Sequence, residues 1–262
     1  MREVCCELEV AVNTPSDLVL SVAPHAGHNV SETLRVDLDG QPLHVTEERD
    51  AFGTRRHRFQ PATGLLAISY RGSISGHAEI AATPGDDLTF LRPSRYCDSD
   101  RLANVAQSLF SGESDEDSID RIRAWALESI QYAPGATDHL DGATEVYLSR
   151  RGVCRDTAHL VTAFARALGI PARVAAVYAP GLVPMDFHAV SEVKIGSQWC
   201  VIDATGLAPR GSMVRIATGR DAADTAFLDA IRGNIELTAM SVDARIDGDL
   251  PLDDGLARTG LS

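Results

Sequence analysis

From Cys5 to about Phe90 the apolar residues alternate with polar ones or gather in short runs, as in Leu8-Glu9-Val10-Ala11-Val12 and Leu34-Arg35-Val36-Asp37-Leu38. A period of two puts alternate side chains on one face, so these runs predict half-buried β-strands. Pro15, Pro24, Gly53 and Gly64 punctuate them. Asp39-Gly40, between Leu38 and Leu43, reads as a hairpin turn because glycine takes a positive φ at no steric cost. About six or seven short strands without a helix predict an all-β sandwich domain of roughly 90 residues.

Near Leu91-Arg92-Pro93-Ser94 the period changes from two to that of a helix. Ser99-Asp100 is placed to cap a helix running to Phe110, and Ser114 with Asp117 resembles a capping box for a second. That second helix carries Ile119, Ile122, Trp125, Ala126 and Ile130 as an apolar stripe. After the loop from Pro134-Gly135 to Asp141-Gly142, a short helix is expected over Thr144 to Arg150. Ala158, Val161, Ala165 and Leu168 then recur at helical spacing, and Gly169-Ile170-Pro171 ends that run. Ala172 to Tyr178, His188 to Ile195 and Gln198 to Asp203 read as three strands, the last two joined by a tight turn at Gly196-Ser197. The expected organisation is therefore 1–94 as a β-sandwich, 95–245 as an α+β catalytic domain and 246–262 as an acidic C-terminal tail.

The formal net charge of −13 argues against a phosphate-tracking surface, because affinity for nucleic acid comes mostly from Lys and Arg. No nucleic-acid partner is expected. Lys194 is the sole lysine, which together with the Ala-rich helices points to a GC-rich bacterial genome. No stretch approaches the roughly 20 apolar residues of a membrane span, so no membrane association is expected. Five cysteines, with Cys5 and Cys6 adjacent, fit reduced thiols better than a disulfide framework. The N-terminus lacks the apolar core of a secretory signal, and a cytoplasmic location is the expectation.

Cys154 opens the helix that ends at Gly169, while His188 and Asp203 lie on neighbouring strands. A thiolate is the attacking species at a carbonyl carbon, and a helix N-terminus favours negative charge. An imidazole must exchange the proton, and a carboxylate on its far nitrogen fixes tautomer and orientation. Strands paired antiparallel through Gly196-Ser197 bring His188 and Asp203 near each other at the end away from the turn.

Gly152-Val153-Cys154-Arg155-Asp156-Thr157-Ala158-His159, Leu168-Gly169-Ile170-Pro171-Ala172-Arg173, Phe187-His188-Ala189 and Trp199-Cys200-Val201-Ile202-Asp203-Ala204-Thr205 together resemble the transglutaminase-like superfamily. The likeness runs over about residues 95 to 245 and includes Gly219-Arg220-Asp221-Ala222-Ala223-Asp224. It implies a papain-like α+β fold, preceded by the β-sandwich, and a Cys154, His188, Asp203 triad. Two positions depart from the pattern: Val190 stands where members usually carry Trp, and Ala204 where they usually carry Pro. Val190 would remove an aromatic wall near the reacting centre and alter substrate access.

Three further residues are candidates for the binding site: Val190, Asp156 as a buttress of the active-site loop, and Tyr132 as an oxyanion donor beside the backbone N–H of Cys154. Gln131 is a neighbour of the same kind. Cys5, Cys6, Cys97 and Cys200 read as small buried apolar residues. His159, five residues after Cys154, and the pair His25 and His28 lack the companions a zinc site needs, so no metal is expected. The function expected is amide or peptide hydrolysis, or acyl transfer to an amine, through a thioester and without a cofactor. The substrate would be a peptide, a protein or a small amide. The alternatives are a catalytically inactive binding or assembly module of the same fold and a zinc-dependent hydrolase.

Overall fold

The structure is a computed structural model that describes residues 1–76 and 85–261. Residues 77–84, counted above with the strand-rich segment, lie outside the described residues. The chain opens with β1 (Arg2–Leu20), in which Val4, Cys6, Leu8, Val10 and Val12 are buried and the residues between them face outward or partly so. β2 (Asn29–Leu38), β3 (Gln41–Pro42), β4 (Thr46–Arg49), β5 (Arg55–Phe59) and β6 (Gly64–Ser75) follow. Together they form one hydrogen-bonded sheet in the order β3-β2-β6-β1-β5-β4, with β1 pairing β6 at one end and β5 at the other. Asp39 and Gly40, at φ 50° and 77°, close the β2–β3 hairpin where the Asp-Gly dipeptide predicts it. Pro15 does not end the first strand as expected. It lies between Thr14 and Asp17, where the register slips, and a bulge tolerates the missing N–H.

A short helix, α1 (Asp86–Phe90), appears where the pattern predicted none, and its Phe90 is buried against Phe52 and Trp199. α2 (Ala103–Phe110) starts after Ser99-Asp100, which sit in the preceding turn and do not cap it. α3 (Asp115–Ser129) begins as predicted, with the Ser114 side chain accepting from the Asp117 N–H at 3.2 Å. β7 (Gln131–Tyr132), α4 (Ala143–Ser149), β8 (Arg151–Gly152) and α5 (Cys154–Ala167) come next. The antiparallel strands β9 (Ala172–Tyr178), β10 (His188–Ile195), β11 (Gln198–Ile202) and β12 (Val214–Gly219) make a second sheet in the order β11-β10-β9-β12. α5 lies against this sheet: Leu160 and Phe164 share a core with Val174, Val193 and Ile202, and Thr162 meets Ser191 at 2.8 Å.

After α6 (Ala222–Thr225) the chain returns to the first sheet through β13 (Leu228–Ile246). β13 pairs antiparallel with β1 from Arg2↔Ile246 to Leu20↔Leu228. This corrects the expected partition, which placed residues up to 245 with the catalytic segment. Its apolar residues alternate at Ile235, Leu237 and Ala239 and, after a one-residue shift, at Met240, Val242, Ala244 and Ile246, but the period of a strand does not say which sheet it joins, and it is the pairing with β1 that assigns it to the first. The two regions also share one apolar cluster, in which Tyr178, Val214 and Ile216 pack with Leu8, Val10, Leu66 and Ile68. Beyond β13 the segment from Asp247 runs back over the catalytic sheet, and Leu261 is buried with Val190 and Val201.

Candidate active site

The nucleophile candidate sits where an extended residue gives way to helix: Val153 has φ −111° and ψ −171°, and Cys154 begins α5. Asp156, on the first turn, is fully buried and ties this entry together. Its Oδ2 accepts from the Val153 N–H at 2.9 Å and from the Thr137 hydroxyl at 2.6 Å, while its Oδ1 accepts from Arg155 Nε at 2.9 Å. The loop before α4 is thus fastened to the start of α5. Gly152 is required beside it, because a Cβ there would lie 2.7 Å from the Asp156 Cβ. β7 and β8 pair in parallel and set Tyr132 opposite Gly152, so Tyr132 stands next to the turn that presents Cys154.

His188 opens β10 and Asp203 immediately follows β11. The β10–β11 ladder ends at Ser191↔Ile202, so the pair meets diagonally just beyond its last rung. His188 Nε2 lies 2.9 Å from Asp203 Oδ2, and Asp203 Oδ1 accepts from the Thr205 N–H and hydroxyl at 2.8 and 2.7 Å. Both members of this pair are shielded, with His188 2% and Asp203 3% exposed, whereas Cys154 is partly exposed. His188 Nδ1 has no partner at ordinary hydrogen-bond geometry, and the group facing the ring other than Asp203 is the Cys154 side chain. Burial opposes the charge on His188, but the bonds to Asp203 and Cys154 outweigh it and push its pKa up to about 10. Burial likewise opposes the Asp203 charge, and the His188 and Thr205 bonds still hold its carboxyl below the usual carboxylate range.

The remaining candidates divide. Tyr132 is 47% exposed, and burial together with the nearby Cys154 and Asp186 raises its pKa, so the hydroxyl stays protonated at neutral pH. Val190 is not a pocket wall: it is 1% exposed and packs among Ala175, Val177, Val201 and Met213, two residues along the strand from His188. Its aliphatic side chain is accounted for by core volume and not by substrate access. His159 is buried, stacks on Tyr96 and accepts from the Ala222 N–H at 3.1 Å, and burial drives its pKa down to about 4. His25 bonds the Phe52 carbonyl at 2.7 Å in a buried loop. Cys6, Cys97 and Cys200 are buried and Cys5 partly so.

Thr205, Asp186, Thr137 and Arg155 are site neighbours that sequence reasoning did not single out. Thr205 had a signal, since a hydroxyl two residues after Asp closes a local turn. Arg155 and Asp186 lie within two residues of Cys154 and His188 in the chain, whereas Thr137 had no signal and is brought in by tertiary contact. A concavity of about 280 Å³ reaches Asp203 from the side of Arg123, Arg210 and Asp253. A larger one of about 480 Å³ lies on the first sheet, lined by Glu3, Cys5, Glu32, Arg71 and Asp243, far from any nucleophile paired with a base.

The core of the transglutaminase-like superfamily matches residues 103–204, a span that contains Cys154, His188 and Asp203. A solved structure from Cytophaga hutchinsonii, described as a "putative cysteine protease", is 32% identical, with 99% of this chain and 96% of that chain covered at a TM-score of 0.88. An uncharacterized protein of Mycobacterium leprae is 25% identical over 161 residues, 58% of this chain and 58% of that protein. The chain belongs to the transglutaminase-like superfamily and has the α+β fold of the papain-like cysteine enzymes, with a sheet-rich N-terminal region. No helix among the described residues is long and apolar enough to cross a membrane.

Proposed function

We propose that the protein is a cysteine-nucleophile enzyme acting on amide or peptide carbonyls, with Cys154 as nucleophile, His188 as proton carrier and Asp203 as its orienting carboxylate. The observation that carries this reading is the shielded His188–Asp203 pair, 2.9 Å apart, whose ring turns its other side to a thiol at a helix start. The Cys154 sulfur attacks the carbonyl carbon, and the carbonyl electron pair moves to oxygen. In this reading the backbone N–H of Cys154 and the hydroxyl of Tyr132 donate to that oxyanion. The C–N bond breaks as His188 gives its proton to the departing amine, leaving a thioester. His188 then takes a proton from water, the resulting hydroxide attacks the thioester, and acid and free thiol are released.

Hydrolysis is the branch the surroundings favour, because Cys154 is partly exposed and the neighbouring Tyr132 ring is open to solvent. An amine acceptor in place of water gives transamidation from the same intermediate. Five free cysteines support a reducing, cytoplasmic location. The test is a panel of glutaminyl and peptidyl amides, read by mass spectrometry for an adduct on Cys154 and by release of ammonia or amine. Adduct formation in the wild type and none in Cys154→Ala is the expected result. Partner binding with no adduct on any substrate would instead identify an inactive binding module.

A further inference from the structure

β11 is the edge strand of the catalytic sheet, and the loop leaving it begins with Asp203. Val201, two residues earlier, points its N–H and C=O away from β10, and the C-terminal segment takes up the first and Arg210 the second. The Val201 N–H donates to the Thr259 carbonyl at 2.7 Å, and its carbonyl accepts from Arg210 Nη1 at 3.0 Å. Arg210 is itself buried, and its guanidinium is locked by Asp253: Nε and Nη2 donate to the two carboxylate oxygens at 2.9 and 2.8 Å, and the Arg210 backbone N–H adds a third bond at 2.8 Å. Gly255 N–H completes the grip on Asp253 at 2.8 Å, and Arg210 holds that carboxyl well below its usual range. The segment between Asp203 and Arg210 is thus pinned at both ends. A concavity of about 280 Å³ separates Asp203 from Asp253, leaving the loop room to shift if the far end is released.

We propose that Asp253 is a positioning residue for the Asp203–His188 pair, acting through Arg210 on the loop that carries Asp203. This rests on the reading of Asp203 as the carboxylate that orients His188. The fork between Arg210 and Asp253 is bidentate and partly buried, so it fixes direction as well as distance. It lies outside residues 103–204, which match the family core. A misplacement of about 1 Å at a distance from the reacting atoms costs on the order of 100-fold in rate when geometry is what catalysis depends on.

The test is the pH dependence of Cys154 alkylation by iodoacetamide in the full chain, followed by intact mass, for the wild type and Asp253→Asn. Alkylation needs no substrate, and reactivity near pH 6 depends on an imidazolium correctly aimed at the sulfur. Asp253→Asn is expected to react about tenfold more slowly at pH 6, with the gap closing at alkaline pH, where the thiol ionises unaided. Arg58→Ala, which removes an ion pair in the first sheet, serves as the control for a general loss of stability and should leave the profile unmoved. If Asp253→Asn does not fold, Arg210→Lys, which keeps the charge but loses the fork, is expected to show the same shift. Profiles that superimpose on the wild type in a folded variant overturn the inference alone. A wild type whose Cys154 reacts no faster than Cys5 at pH 6 overturns the proposed function and this inference with it.

Discussion

A Cβ on Gly152 would lie 2.7 Å from the Cβ of Asp156, closer than side chains approach one another, so the residue before the extended turn has to be glycine for Asp156 to reach back over it. The contact explains how a buried carboxylate comes to hold the Val153 N–H, the Thr137 hydroxyl and Arg155 at once. Gly152→Ala is expected to lose about 1–3 kcal/mol, because overpacking displaces Asp156 or the turn. Asp156→Ala is expected to lose about 2 kcal/mol through the unsatisfied groups it leaves, with the partly exposed Arg155 contributing little. Urea unfolding of both variants checks the two figures, and an unchanged midpoint for Asp156→Ala would show that the turn holds without its carboxylate.

Cys154 is expected to be alkylated near neutral pH ahead of the other four cysteines. Burial raises the pKa of Cys6 to about 12 and raises those of Cys97, Cys200 and Cys5. Cys154 instead stands partly exposed against a charged imidazole. Peptide mapping after brief treatment reads the order directly. First modification at Cys97 or Cys200 would remove the basis of the assignment.

The substitutions Cys154→Ala, His188→Ala and Asp203→Asn are expected to form a graded series. Without the sulfur no acyl-enzyme forms, and without the imidazole the leaving amine receives no proton. Without the carboxylate the ring remains but loses its orientation, a change that costs about 10⁴ in rate in the serine-triad precedent. Thermal melts should show all three folded, and wild-type turnover in Cys154→Ala would defeat the proposal outright.

Stability should fall at alkaline pH in a way that depends on His188. Its pKa is raised from the ordinary 6.5 to about 10 in the folded chain. The stabilisation is therefore fully present below about pH 6.5 and is lost as pH rises through about 10. Above pH 9 the buried cysteines add to the loss, since the unfolded thiols ionise first. The difference in melting temperature between wild type and His188→Gln isolates the histidine. A difference that stays constant from pH 6 to 10 would show that the ring carries no extra charge.

Residues 1–94 expressed alone are expected to be unfolded or aggregated. That fragment lacks β13, the partner of β1 from Arg2 to Leu20, and lacks Tyr178, Val214 and Ile216 from the shared core. Limited proteolysis of the full chain should accordingly give one resistant body. A stable, dispersed 1–94 domain by circular dichroism and NMR would contradict this.

The sequence by itself determined the elements whose cause is local. The Ser114 cap of α3, the Asp39-Gly40 hairpin, the start of α5 at Cys154 and the strands carrying His188 and Asp203 each follow from a short run of residues. The ordered Cys, His and Asp motifs place the chain in its superfamily for the same reason. Only the tertiary structure decided what depends on contacts far apart in the chain. The alternation from Ile235 to Ile246 marks β13 as a strand, but its place in the first sheet is set by β1, which offers backbone partners more than 200 residues away. Val190, a candidate for the binding site by its place near His188, is buried because its own side chain packs on Met213 and Val201. The grip of Asp253 on Arg210, and through it on the loop of Asp203, joins residues whose spacing signals nothing, since side-chain hydrogen bonds leave no periodic trace in a sequence.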